Sequence, residues 1–165
     1  MAQAVKKRPD REIIGRREDA KTEFKRKEIL KDRDSILREV VGMLNAQGGK
    51  IWIGVEEDKG VATCLQDVED AEAVKSALQD CLLDSISPRK QMTPSIEVFE
   101  SGRLILIEVP RGDKKPYAFC KGGGMQFYER CDNRLRPLKL EEVRSAILDG
   151  KENRTSKDDL AETSK

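Results

Sequence analysis

Three acidic residues stand where chemistry is possible. Glu18 and Glu23 lie five apart in Arg17-Glu18-Asp19-Ala20-Lys21-Thr22-Glu23-Phe24-Lys25, and Glu57 follows the apolar run Ile51-Trp52-Ile53-Gly54-Val55. Acids at the C-terminal edge of a strand stand where α/β sheets bind ligands. A group of carboxylates offers oxygen ligands to a hard divalent cation such as Mg²⁺ or Mn²⁺. Such a cation activates a water and offsets charge on a phosphodiester transition state. The alternative is solvated surface charge, since 31 of the 165 residues are Asp or Glu. A separation of five puts two side chains on opposite sides of a regular strand, so Glu18 belongs to the loop before the strand, or a bulge intervenes. Lys25 falls on the same side as Glu23. It is placed either to hold a scissile phosphate or to form an exposed salt bridge. Arg26 and Lys27 beside it add general positive potential, and Arg130, Arg134 and Arg136 are further candidates for phosphate contact.

Composition removes other chemistries. There is no histidine, which excludes the Ser-His-Asp triad, the Cys-His dyad and imidazole zinc sites. The four cysteines, Cys64, Cys81, Cys120 and Cys131, include no Cys-x-x-Cys pair and read as free thiols. Gly48-Gly49 is followed by no Gly-Lys-Ser/Thr and precedes a strand, so it is not a phosphate loop. Lys121-Gly122-Gly123-Gly124 reads as a flexible turn whose amides could touch a phosphate. Aromatics are 4% of the chain, too few for a stacking platform, and Trp52 and Tyr128 read as core. No apolar stretch approaches a membrane span, and the first residues lack the apolar core of a signal peptide. A soluble cytoplasmic protein is expected.

Net charge is only +1, but it is unevenly spread. Residues 1–33 hold 12 Lys/Arg against 7 Asp/Glu, residues 34–100 hold 6 against 13, and residues 101–148 hold 10 against 6. Two basic segments flank an acidic middle. Brought together by the fold, they would form a surface that attracts phosphate; left apart, they are ordinary solvated charge.

The elements that must position these residues follow from periodicity. Residues 21–25 alternate polar and bulky side chains as a short strand. Asp32 or Asp34 caps a helix over about 33–46, whose apolar positions Ile36, Leu37, Val40, Val41 and Leu44 share one face. Residues 50–55 read as a central strand and 56–60 as the turn after it. A second helix spans about 70–86 and stops before Pro88. Residues 95–99 and 103–109 form a hairpin, 116–119 and 125–130 are shorter strands, and a last helix covers about 139–148. The chain divides into a flexible basic N-terminus (1–15), one domain (16–148) and a disordered polar tail (149–165). The order predicts an α/β (α+β) domain, a mixed β-sheet with helices packed on it.

The succession Glu18-x4-Glu23-Phe24-Lys25-Arg26, then Leu44-Asn45-Ala46-Gln47-Gly48-Gly49, then Ile51-Trp52-Ile53-Gly54-Val55-Glu56-Glu57, resembles the Alba-like domain of the Schlafen family. The resemblance continues through Phe127-Tyr128-Glu129-Arg130, Asn133, Arg136-Pro137-Leu138 and Glu141-Glu142-Val143. It implies nucleic-acid work: Schlafen cores are similar to metal-dependent endoribonucleases that cut tRNA and rRNA with three acids. The first two match Glu18 and Glu23. The third, usually Asp, matches Glu57, with Glu56 or Asp58 as near alternatives. The zinc site of larger Schlafens, which uses histidine, has no counterpart here, and Cys131-Asp132 replaces a small residue and a glycine. The resemblance thus implies a Mg²⁺- or Mn²⁺-dependent nuclease acting on structured RNA such as tRNA, or a non-catalytic DNA/RNA-binding or regulatory module. It also implies a homodimer, because Schlafen cores resemble two such lobes joined in one chain.

Overall fold

The computed structural model describes residues 10–150, with side chains from residue 12. Most of the N-terminal segment and of the polar tail therefore lies outside the described residues. A short helix α1 (Asp10–Ile13) leads to strand β1 (Thr22–Lys25), a 3₁₀ turn (Lys27–Lys31) and helix α2 (Arg33–Asn45). Strands β2 (Gly49–Ile53), β3 (Val55–Asp58) and β4 (Val61–Leu65) precede helix α3 (Ala71–Ser85). Strands β5 (Ile86–Ser87), β6 (Ser95–Phe99), β7 (Gly102–Val109), β8 (Ala118–Lys121), β9 (Gly124–Gln126), β10 (Tyr128–Cys131) and β11 (Arg134–Pro137) follow, and helix α4 occupies 140–150.

The central sheet has the order β1-β2-β7-β6. β1 and β2 run parallel, with Glu23 opposite Ile51 and Phe24 opposite Trp52, and the other pairs are antiparallel. A parallel pair needs a crossover, and α2 supplies it. Asp32, not Asp34, caps that helix, its carboxylate accepting from Ser35 N at 3.3 Å. The expected apolar face of α2 is fully buried. Because strand residues alternate, Ile51, Ile53, Ile105 and Ile107 face α2 and α3, whereas Trp52, Leu104, Leu106 and Phe24 face the other way. Each such buried side chain contributes about 1.5–3 kcal/mol. Ile13 of α1 and Val55 and Ala62 of the β3–β4 hairpin cover the second face.

The structure departs from the sequence reading after β2 and after β10. Residues 56–58 are strand, and the turn is confined to Lys59-Gly60, both at positive φ. The acids there resemble a loop, yet Val55 and Ala62 supply enough apolar contact to hold a hairpin. β11 has no signature in the sequence, because Arg134-Leu135-Arg136-Pro137 has no apolar run; it stands by pairing with β10. No helix among the described residues is long and apolar enough to cross a membrane.

Candidate functional site

Glu23 and Lys25 project from β1 toward α2, on the same side as expected. The Lys25 ammonium lies 2.5 Å from one Glu23 oxygen, and the Arg130 guanidinium lies 2.7 Å from the other. Arg130 also donates to Glu39 of α2 at 3.0 Å and to the carbonyls of Asp19 and Thr22 at 3.0 and 3.3 Å. Its side chain is fully covered, so Arg130 is a buried cation that ties β10 to β1 and α2, and it presents nothing to a phosphate. This corrects its assignment as a nucleic-acid contact. Lys25 is the half-exposed member of the group. Burial pulls its pKa down, but Glu23, Glu39 and Glu18 outweigh that and hold it above the ordinary lysine value. Glu39 is raised, mainly by burial and then by Glu23.

Glu18 stands in the loop before β1 and reaches back, accepting from Phe24 N at 2.9 Å. That amide points out of the open edge of β1, which explains the spacing of five. Its backbone N–H donates to Gly60 O at 2.7 Å, and its carboxylate borders Gly60. Glu57 accepts from Gly60 N at 2.5 Å. Glu18 and Glu57 therefore flank the same turn. Burial raises the Glu18 pKa; the Phe24 amide opposes this, and the charges of Glu23 and Glu57 add to it. Glu56 is directed elsewhere, accepting from Gln66 at 2.9 Å, and Asp58 is exposed at the hairpin tip.

The sequence candidates thus divide. Glu18, Glu23, Lys25 and Glu57 come together at the β1 edge. Arg26 is exposed beside them, and Lys27 sits 3.6 Å from Glu69. Arg134 is exposed on β11, far along the chain from this group, and Arg136 is engaged by Glu129 and Glu142 at 2.7 and 2.8 Å. Sequence reasoning missed Glu39, whose only signal is a carboxylate bordering the apolar face of α2. It also missed Asn45, which donates to Tyr117 O and Tyr128 O at 2.9 and 2.7 Å and accepts from Tyr117 N at 2.7 Å.

A divalent cation at this edge would need free carboxylate oxygens. Both Glu23 oxygens are engaged by cations, and among the described residues no set of three or more Asp, Glu or Cys side chains is arranged to hold a metal ion. As arranged, the residues do not fit a three-carboxylate metal centre. What the group does supply is a fixed charge pattern. Four carboxylates (Glu18, Glu23, Glu39, Glu57) gather around two cations (Lys25, Arg130), a local formal charge of −2.

The family model described as Schlafen, AlbA_2 matches residues 18–139. Among solved structures, the chain is similar to the N-terminal domain of an ATP-dependent DNA helicase RecG-related protein from Nitrosomonas europaea, with 22% identity and a TM-score of 0.53 over 64% of this chain and 73% of that one. It is also similar to the DIP2311 protein from Corynebacterium diphtheriae, with 16% identity and a TM-score of 0.51 over 72% of this chain but only 22% of that one. At these identities the likeness is one of fold. No curated protein matches.

Proposed function

The chain belongs to the Schlafen AlbA_2 family, and we propose that it is a nucleic-acid-binding domain that contacts the sugar–phosphate backbone around the β1 edge. The observation that supports this most is the placement of exposed Arg16, Arg17, Lys21 and Arg26 around the half-buried Lys25 on and beside a single strand. Cations grouped on and beside one strand attract a polyanion irrespective of its sequence. Structured RNA such as tRNA is the substrate class this reading favours, recognised by shape and backbone; DNA is the alternative. A second copy would double the basic surface, and a homodimer is part of the proposal, checked by a light-scattering mass twice that of one chain.

The second reading is a metal-dependent endoribonuclease. It is favoured by one observation: the Glu18 carboxylate borders Gly60, whose N–H donates to Glu57, and accepts from the amide of Phe24, next to Glu23, so the three acids singled out in the sequence are neighbours. Labelled tRNA incubated with the protein, with and without Mn²⁺ or Mg²⁺, separates the two. The binding reading expects complexes that weaken steeply with salt and leave the RNA intact. Cleavage that requires the ion and disappears in Glu57→Gln, which keeps the acceptor for Gly60 N, would replace it with the nuclease. No binding at low salt would end both.

A further inference from the structure

A cleft of about 640 Å³ opens at the end of the sheet where β1 and β2 begin, lined by Arg16, Lys21, Lys50 and Glu108 among others. Strand register builds it. Lys50 N donates to Lys21 O at 2.8 Å, and Lys50 pairs with Glu108 across β2 and β7. Gly49 permits the close approach: a Cβ there would stand 2.7 Å from Lys21 O. Lys50 stands opposite Thr22, the first residue of β1, and Lys21 precedes it in the turn, so the two lysines enter the cleft from adjoining backbone positions. Arg16 lies on the segment that bridges to β4 through Arg17 and Val61. Arg16 lines the cleft and stands two residues before Glu18 in the chain.

The side chains of Arg16 and Lys21 have no partner among the described residues. The one anion in the lining, Glu108, meets Lys50 at 3.1 Å with both side chains more than half exposed. A pair so exposed is weak, and a phosphate can take Glu108's place. The acidic group, at formal charge −2, repels phosphate, so a nucleic acid that reaches it has to be gripped alongside it.

We infer that this cleft is a seat for consecutive backbone phosphates of a nucleic acid, with Arg16, Lys21 and Lys50 as the cations that hold them and Glu108 as the charge that restrains affinity. The inference rests on the nucleic-acid-binding reading and gives it a location.

The test uses the full chain and a fluorescein-labelled 20-nucleotide RNA, single-stranded and as a duplex, titrated by fluorescence anisotropy between 50 and 200 mM KCl. Removing one cation that neutralises a phosphate lowers the slope of log K against log[salt] by about 0.7 on single strands and 0.9 on duplex. Arg16→Gln/Lys21→Gln/Lys50→Gln is expected to lower the slope by about 2–3 and the affinity at 50 mM KCl by at least about tenfold. A control with equal charge loss, Lys31→Gln/Arg89→Gln/Arg144→Gln, is expected to retain the wild-type slope. Glu108→Gln, which leaves every cation in place, is expected to bind about 2–5 times more tightly. The inference is overturned if the cleft variant binds like the wild type, if the control loses as much, or if Glu108→Gln gains nothing. Wild-type protein that fails to bind at 50 mM KCl overturns the functional reading itself, whereas binding that survives the cleft substitutions spares that reading and removes only this site.

Discussion

Replacing Arg130 with methionine tests the buried charge group most directly. The substitution keeps a flexible apolar chain of comparable length and removes the guanidinium that meets Glu23 at 2.7 Å and Glu39 at 3.0 Å. The two carboxylates then share only Lys25, which lies 2.5 Å from Glu23 but 3.8 Å from Glu39. Removing one partner of a buried ion pair costs about 3–5 kcal/mol. In a chain of this size, about 2–4 °C of melting temperature is lost per kcal/mol, so a fall of about 6–20 °C is expected. The loss also depends on pH. Burial and Glu23 already raise the Glu39 pKa in the native state, and loss of Arg130 raises it further. Between the unfolded value near 4.5 and that raised value, the native state binds the extra proton, so the variant's stability falls as pH rises. The penalty is therefore largest at about pH 7–8 and smaller near about pH 5. Urea unfolding followed by circular dichroism at the two ends of that range measures it. Adding Glu39→Gln to Arg130→Met is expected to recover at least about 1.5 kcal/mol, the coupling of close buried charges. A loss below about 1 kcal/mol, a penalty that does not change with pH, or a double variant no better than the single would refute the account of Arg130 as the cation that holds β1, α2 and β10 together.

Three other outcomes follow from particular contacts. Asn45→Ala strands Tyr117 N, Tyr117 O and Tyr128 O, and at about 1–3 kcal/mol for each unsatisfied buried group it should lower the urea midpoint more than any other single change at the end of α2. Gly48→Ala is expected to destabilise by at least about 1–3 kcal/mol, since φ is +75° and a Cβ would stand 2.5 Å from Val109 O; a melting temperature within about 2 °C of wild type would contradict it. The Asp113 carboxyl, pulled down to about 2 by the Tyr117 hydroxyl and Lys90, should titrate in that range by NMR. Its contribution to stability is present above pH 3.8 and fades as pH falls toward 2. Tyr117→Phe should return the midpoint toward the ordinary carboxylate range, and an unmoved midpoint would dismiss the hydroxyl as its cause.

The parts of the fold that repeat a regular apolar period are legible from the chain. Ile36, Leu37, Val40, Val41 and Leu44 announce α2, and the run around Trp52 announces β2, because burial on one face leaves a period of 3.6 or a continuous apolar stretch. The β3–β4 hairpin is hidden because its strand residues include Glu56, Glu57 and Asp58, whose polarity imitates a turn. The site is half legible. The spacing of Glu18 and Glu23 leaves a loop or a bulge, of which the structure has the loop, and the two-residue step from Glu23 to Lys25 correctly puts both on one side. The fate of Arg130 is not legible. An arginine in a polar stretch reads as exposed, and only the approach of β10 to Glu23 and Glu39, about a hundred residues earlier in the chain, buries it. The same long-range approach engages the Glu23 oxygen that Lys25 leaves open, a fact no local pattern carries.

Glu18 has a second consequence through its bond to Phe24 N. The first strand is at the rim of its sheet, where unsatisfied main-chain donors invite a strand from another molecule. The carboxylate stoppers one of those donors. Shortening it to alanine would open the rim, so any inactivity of that variant would arrive mixed with self-association. Glutamine keeps the stopper and changes only the charge, and particle size followed alongside function tells the two effects apart.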